Sequence, residues 1–224
     1  MSEPHEDAQG DVAAVGLLAE PTRRQLYRYV VDAGRAVSRD EAAEGAEVPV
    51  HTAKFHLDKL VEGGLLSTEF HKLTGRTGPG SGRPSKHYRR NDAEISVTLP
   101  PRQYDLLSRV LADAVAAASK TGDPVAPVVA RVAREAGRDI GREFETHGGV
   151  EAALRSCGYE PVMEGLDVIL CNCPFHQAAT RHTELICGLN LDFVSGLLEG
   201  VGASRGKACL APAPGQCCVK VSVE

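Results

Sequence analysis

Residues 38–64 read SRDEAAEGAEVPVHTAKFHLDKLVEGG, and this pattern predicts two helices joined by a turn. A Ser followed three residues later by a Glu has the form of a capping box, which begins a short helix over 39–46. Pro49 is well placed at the start of the next helix, because the first turn leaves its backbone donors unpaired. Apolar residues recur every three or four positions over 50–62, and a pair of glycines ends that helix.

The flanking segments extend this pair into a larger unit. An apolar stripe predicts one helix over 12–32, and the acidic residues 1–11 are expected to be disordered. After the pair, strands are predicted at 65–73 and 84–89, separated by a Gly-rich tip. Helices followed by a hairpin in this order are typical of a winged helix-turn-helix, which we place at 12–92.

The charge distribution points to a nucleic-acid partner. The net charge of the 224 residues is −5, but residues 21–90 carry 13 basic and 8 acidic side chains. A basic segment between acidic ones is typical of a DNA-binding surface. No run approaches 18 uncharged apolar residues, and the N-terminus lacks the basic and apolar regions of a secretory signal. We therefore expect a cytoplasmic protein without a membrane partner.

Candidate DNA contacts fall in two places. The second helix of the pair presents short polar, cationic and aromatic side chains away from its apolar stripe, which suits reading base edges in a major groove. These residues are His51, Thr52, Lys54, Phe55, His56 and Lys59. The hairpin carries cations and no acidic residue over 71–90, which suits contact with phosphates or a minor groove. Its candidates are Lys72, Arg76, Arg83, Lys86 and Arg89.

Three motifs in this region resemble ArsR-like winged-helix repressors. They are PTRR at 21–24, HLDKLVEGGLL at 56–66 and GRPSKHY at 82–88, and the resemblance covers about residues 12–90. It implies a homodimer that places one recognition helix of each copy in the major groove of a near-palindromic, double-stranded DNA site.

The second part of the chain is predicted to be a helical linker or dimerisation region at 93–147 and a cysteine-rich α/β domain at 148–224. The whole chain is therefore assigned to the α+β class, mostly helical. The predicted elements are a short strand at 95–100, helices at 100–119, 124–145, 149–156, 175–182 and 184–200, a hairpin at 162–170, and closing strands at 207–210 and 217–223.

All seven cysteines lie within 157–218, which indicates metal or redox chemistry in a cytoplasmic chain. Thiolates bind soft metals and iron–sulfur clusters, and imidazole suits zinc or iron. The candidate ligands are Cys173, Cys187, Cys217, Cys218 and His176. Because adjacent residues of a strand point to opposite faces, we expect only one of the last cysteine pair to bind the metal. Cys157 and Cys209 are expected to be ordinary buried thiols.

This part resembles the C-terminal domain of SufR-type iron–sulfur repressors, over about residues 157–224. The likeness rests on NCPF at 172–175, on Cys187 and on PGQCC at 214–218. It implies a cluster, of the 2Fe-2S or 4Fe-4S type, held by Cys173, Cys187 and one of Cys217 or Cys218.

The leading hypothesis is a non-enzymatic transcriptional repressor whose DNA affinity follows the state of an iron–sulfur cluster. Two alternatives keep the regulator but replace the cluster, by a structural or sensory zinc site or by a thiol–disulfide switch. An enzyme with Cys173 as nucleophile is the alternative from another class. No phosphate loop, paired-carboxylate motif or serine elbow supports that reading.

Overall fold

The computed structural model describes residues 4–71 and 84–223. The chain divides into an N-terminal unit, residues 1–97, and a C-terminal unit, residues 98–224, each with its own buried apolar core. The core of the C-terminal unit includes the helices that the sequence pattern places in a linker at 93–147. Those helices and the cysteine-rich segment therefore pack as one body.

The N-terminal unit contains four helices and three strands within its described residues. They are α1 (Pro4–Leu17), α2 (Pro21–Asp32), β1 (Val37–Ser38), α3 (Arg39–Gly45), α4 (Val50–Glu62), β2 (Leu66–His71) and β3 (Ser85–Arg90). The strands form an antiparallel sheet in the order β1-β3-β2. The predicted helix pair and hairpin are thus present, and β1 adds a short strand that the pattern did not predict.

The prediction of one helix over 12–32 is wrong, because the chain breaks between α1 and α2. The Glu20 carboxylate accepts hydrogen bonds from the backbone N–H groups of Thr22 and Arg23, and Pro21 occupies the first turn of α2. A capped new helix is thereby favoured over continuation of the old one. Residues 4–11, expected to be disordered, are helical, and residues 95–100 form no strand.

The start of α3 and the turn between α3 and α4 follow the predicted local chemistry. Ser38 accepts a hydrogen bond from the backbone of Glu41, and the Glu41 carboxylate accepts one from the backbone of Ser38 in return, which confirms the capping box. Glu47 adopts a left-handed φ of 52° in the turn. α4 then begins at Val50, as predicted, with buried Leu57 and Leu60 against the core.

The C-terminal unit contains five helices and four strands within its described residues. They are α5 (Tyr104–Thr121), α6 (Val125–Arg142), α7 (Gly149–Ser156), β4 (Pro161–Glu164), β5 (Asp167–Leu170), α8 (His176–Arg181), α9 (Thr183–Val201), β6 (Gly206–Leu210) and β7 (Val219–Val223). The strands form an antiparallel sheet in the order β4-β5-β7-β6. Mixed α/β structure with about 54% helix agrees with the expected class.

Helices α6 and α9 pack with their backbones in contact. Gly137 and Gly141 on α6 face Gly196 and Gly200 on α9, and each glycine lies against the backbone of the opposite helix. A Cβ atom on Gly196 would stand 2.0 Å from the Arg134 carbonyl oxygen. This close crossing fixes α9, the helix that carries Cys187.

Candidate functional sites

Four of the predicted cysteine ligands come together in the C-terminal unit. The thiols lie near enough to affect one another's pKa in a chain of neighbours, Cys173 with Cys217, Cys217 with Cys218, and Cys218 with Cys187. We call Cys173, Cys187, Cys217 and Cys218 the thiol cluster. All four are free thiols, and they come from the loop before α8, from α9 and from the turn before β7.

The expectation that only one of Cys217 and Cys218 binds a metal stays a prediction; of the two, Cys217 is buried and Cys218 half-buried. β7 begins only at Val219, so the cysteine pair lies in the preceding turn, where strand alternation does not apply. The Cys217 N–H donates to the Leu170 carbonyl at 2.8 Å, which ties the turn to the end of β5. Both thiols consequently contact the same group of cysteines.

The thiol cluster is asymmetric in charge. Hydrogen bonds from Cys173 and Cys218 lower the pKa of Cys217, and the Val219 N–H and the Asn190 amide act in the same direction. The pKa values of Cys173 and Cys218 are raised, first by their hydrogen bonds to Cys217 and then by burial. Of these thiols, Cys217 is the one whose surroundings favour the deprotonated form.

A polar network holds the loop of Cys173. The buried amide of Asn172 donates to the carbonyl oxygens of Pro101 at 2.8 Å and Gly158 at 2.6 Å. Arg102 donates to the side-chain oxygen of Asn172 and, at 2.8 Å, to the carbonyl of Cys173. Since buried polar groups need partners, these bonds fix the path of the loop before α8. Sequence reasoning missed the role of Asn172 although it lies within the quoted NCPF motif.

The remaining candidate ligand, His176, and the other three cysteines differ in exposure. His176 is exposed on α8, and its backbone N–H bonds to the Cys173 carbonyl. Cys171 is exposed, Cys209 is half-buried on β6, and burial raises the pKa of Cys157 to about 12. Within residues 4–71 and 84–223, no three His, Cys, Asp or Glu side chains are arranged to hold a metal ion as they stand.

In the N-terminal unit, the outer face of α4 presents several of the predicted DNA contacts to solvent. His51 and Lys54 are exposed, Phe55 is 56% exposed, and Thr52 is half-buried beside them. A cation, an aromatic ring and small polar groups on the first two turns of a helix are suited to base edges and phosphates. These four side chains are available to a DNA groove.

His56 and Lys59 have partners within the protein. The His56 side chain is 13% exposed and lies 3.6 Å from the Glu20 carboxylate, and its Nδ1 accepts from Arg23 Nε at 3.4 Å. It therefore joins α4 to the start of α2. Lys59 Nζ lies 2.6 Å from Glu62, one turn on along α4.

The hairpin is tied to α4 through Asp58, which sequence reasoning did not select. The Asp58 carboxylate accepts from Lys86 Nζ at 2.6 Å and from the Tyr88 hydroxyl at 3.0 Å. Burial raises the pKa of Asp58, but these two hydrogen bonds outweigh it, so the net pKa is lowered. An acid between the cations Lys54 and Lys59 of this helix was the available signal.

Of the remaining hairpin candidates, only Arg89 lies within the residues that the structure describes. Arg89 makes a two-pronged hydrogen bond to Asp92, at 3.0 and 3.1 Å. Lys72, Arg76 and Arg83 lie outside the described residues.

A family model described as a helix-turn-helix domain matches residues 18–69, which span α2 to most of β2. Residues 18–69 form a helix-turn-helix domain. This helix-turn-helix domain supports a DNA-binding transcriptional regulator and accounts for the exposed polar face of α4. No curated protein and no solved structure matches the chain.

The helix-turn-helix match ends before the C-terminal unit. The evidence for a site at the thiol cluster is therefore its geometry. No helix among the described residues is both long and apolar enough to cross a membrane.

Proposed function

We propose that the chain is a DNA-binding repressor whose DNA affinity is controlled by an iron–sulfur cluster held by Cys173, Cys187, Cys217 and Cys218. The observation that carries this proposal is the chain of neighbouring thiols that runs from Cys173 through Cys217 and Cys218 to Cys187, contributed by three separate segments. Thiolates are the usual ligands of such clusters. The chemistry of the donor set therefore fits the group, and both members of the terminal cysteine pair are candidates. Binding would require the four thiols to rearrange, because no three of them are placed to hold a metal ion as they stand.

The bound cluster would supply one-electron redox chemistry and sensitivity to oxygen. The chain's own residues supply the rest. Cys217 is buried and receives hydrogen bonds, so it acts as the anchoring ligand, while Asn172 and Arg102 fix the loop that presents Cys173. Cys218 and its neighbour Cys187 on α9 are the other two ligands of the set.

The test of the cluster is a visible absorption spectrum of protein purified without oxygen, with iron, sulfide and zinc counted on the same sample. A brown protein with equal iron and sulfide is expected. Cys173→Ser and Cys217→Ser should abolish the colour, whereas Cys209→Ser, a cysteine on β6, should keep it. A colourless wild type with one zinc per chain would refute the cluster and establish a zinc site.

For DNA we propose that two copies bind a near-palindromic double-stranded site, with α4 of each copy in a major groove. His51, Thr52 and Phe55 face the bases, and Lys54 beside them contacts a phosphate. The hairpin cations, Lys86 and Arg89 with Lys72, Arg76 and Arg83, contact the DNA backbone. Light scattering with and without an operator duplex should give two chains per duplex. A single chain per duplex would contradict the dimer.

Lys54→Ala tests the face of α4. Losing one phosphate contact should weaken binding to all sequences and reduce the slope of log affinity against log salt by about 0.9. Lys120→Ala removes an exposed lysine from the last turn of α5, and it should change neither the affinity for DNA nor the salt slope. Equal effects of the two variants would show that only net charge matters.

A thiol–disulfide switch is the second candidate, favoured by the direct contact of the free thiols of Cys173 and Cys217. Oxidation by a peroxide would join their sulfurs, and the two protons and two electrons released would reduce the peroxide to water. Intact mass before and after peroxide, with the position of the bond mapped, distinguishes this switch from the cluster. A metal-free protein that gains this disulfide and changes its DNA affinity would support it.

A further inference from the structure

Asn190 is a fully buried polar residue beside the thiol cluster. It lies on α9 with 0% of its surface exposed, and its Nδ2 donates to Cys217 Sγ at 3.1 Å. Its Oδ1 accepts from the hydroxyl of Tyr159, which is 2% exposed. Because a buried amide needs partners on both sides, the Tyr159 hydroxyl and the Cys217 sulfur hold it in one orientation.

The direction of these bonds is informative. The Tyr159 hydroxyl donates to the amide oxygen, so the amide NH₂ is turned towards the sulfur. A thiol can donate its proton to a neighbour, whereas a metal-bound thiolate has no proton and can only accept. The surroundings of Cys217 are thus complementary to a deprotonated sulfur.

Cys218 has a different environment. It is half-buried, and the neighbours that affect the pKa of its thiol are Cys217 and Cys187. The amide and phenol therefore act on one member of the adjacent cysteine pair.

We propose that Asn190 and Tyr159 are positioning residues that raise the reduction potential of the cluster by hydrogen bonding to the Cys217 sulfur. This inference rests on the proposed function. Reduction adds one electron, supplied by an external reductant, and increases the negative charge on the ligand sulfurs while no bond forms or breaks. N–H donors stabilise that charge, and hydrogen bonds to ligand sulfurs are a known determinant of cluster potential.

Three variants separate this role from general packing. Asn190→Leu removes the N–H donor, and Tyr159→Phe removes the hydroxyl that orients it. Tyr104→Phe is the matched control, because the Tyr104 hydroxyl is buried and has no hydrogen-bond partner among the described residues. All three remove one buried polar function, but only the first two affect Cys217. Far-ultraviolet circular dichroism and the iron content of each variant show whether it folds and holds the cluster.

The measurement is the midpoint potential of the cluster, from a dithionite titration followed by visible absorption. Asn190→Leu should lower the equilibrium constant for reduction about tenfold, which is about 59 mV for one electron. Tyr159→Phe should lower it less, because the amide keeps its nitrogen but loses its orientation, and Tyr104→Phe should leave it unchanged. The double variant should match Asn190→Leu, since Tyr159 acts through the amide.

The outcomes separate this inference from the proposed function. Should the wild type hold a cluster whose potential is the same in Asn190→Leu and Tyr159→Phe, the role of the pair is refuted and the cluster stands. If Tyr104→Phe shifts the potential as much as Tyr159→Phe, packing is the cause and the inference is again refuted. A wild type without iron would overturn the proposed function together with this inference.

Discussion

Asp58 in the N-terminal unit and Asn190 in the C-terminal unit both join distant segments through hydrogen bonds, but their environments differ. Asp58 holds Lys86 and Tyr88 at a surface that water reaches. Asn190 holds Tyr159 and Cys217 where water does not reach. Partly exposed charge pairs contribute little to stability because water screens them, whereas a buried polar group that loses its partner is costly. We therefore expect the N-terminal unit to tolerate substitution of its polar residues better.

The α6–α9 crossing should show the largest effect in the C-terminal unit. Gly196→Ala places a Cβ 2.0 Å from the Arg134 carbonyl oxygen, so the helices must separate, at a cost of about 3 kcal/mol. Denaturant unfolding followed by hydrogen exchange should locate the loss in residues 98–224.

Gly188→Ala is the matched control on the same helix, because a Cβ there has nothing within 4 Å. It should stabilise α9 by about 1 kcal/mol through helix propensity. Equal effects of the two glycine variants would contradict the close crossing.

Asn172→Ala should have the next largest effect. It leaves the carbonyls of Pro101 and Gly158 without their donor and Arg102 without one acceptor, which we expect to cost about 2 kcal/mol. The variant should also lose iron faster, because its Cys173 loop is released. Asn91→Ala removes a bond to the Gly64 carbonyl and a longer one from the Ala93 N–H, both in the N-terminal unit. If Asn91→Ala changed iron loss to the same extent, the loop would not be the cause.

Asp58→Asn should reduce the stability of the N-terminal unit by about 1 kcal/mol at neutral pH, a value kept small by solvent screening. The folded pKa of Asp58 is lowered, so its contribution is present above the ordinary aspartate pKa of about 3.9 and is lost as the pH falls through the folded value. The difference in the free energy of unfolding between wild type and variant should therefore decrease on acidification. Urea unfolding at a series of pH values measures it, and a difference that grows in acid would contradict the account.

Glu47→Gly should give the smallest effect, a gain of about 0.5 kcal/mol. Glu47 has a φ of 52°, which strains a side chain, although the flexibility of glycine in the unfolded chain offsets part of the relief. Gly34→Ala is the reverse change at a φ of 61° with open space around it, and it should destabilise the same unit. Thermal unfolding of both variants checks the sign, and a loss of stability in Glu47→Gly would refute the argument.

Local patterns predicted the helix-turn-helix well. The Ser38–Glu41 capping box and the bounds of α4 depend on neighbouring residues, so a single sequence contains the information. The break before α2 was missed because the apolar stripe continues past Pro21, although the Glu20 cap begins a new helix there. The burial of His56 depends on Arg23 and Glu20 of another helix, and helical periodicity alone does not reveal that contact.

Long-range features of the C-terminal unit were harder to predict. The cysteines were selected by residue type. Whether the side chains of Cys217 and Cys218 follow strand alternation depends on where β7 begins, and the sequence pattern placed that start two residues too early. Asn190 gives no signal in the sequence, because its importance comes from Tyr159 and Cys217, which are distant along the chain. The glycines of α6 and α9 likewise acquire meaning only when the two helices face each other.

The most direct test of the account is the affinity of one anaerobic sample for its operator duplex before and after the cluster is removed with a chelator and an oxidant, with the thiols then reduced again. Fluorescence anisotropy at fixed salt measures both states. We predict that the cluster-bound and cluster-free forms differ at least tenfold in affinity, a coupling of about 1.4 kcal/mol. Equal affinity of the two forms, with iron confirmed in the first, would contradict the claim that the cysteine site controls DNA binding.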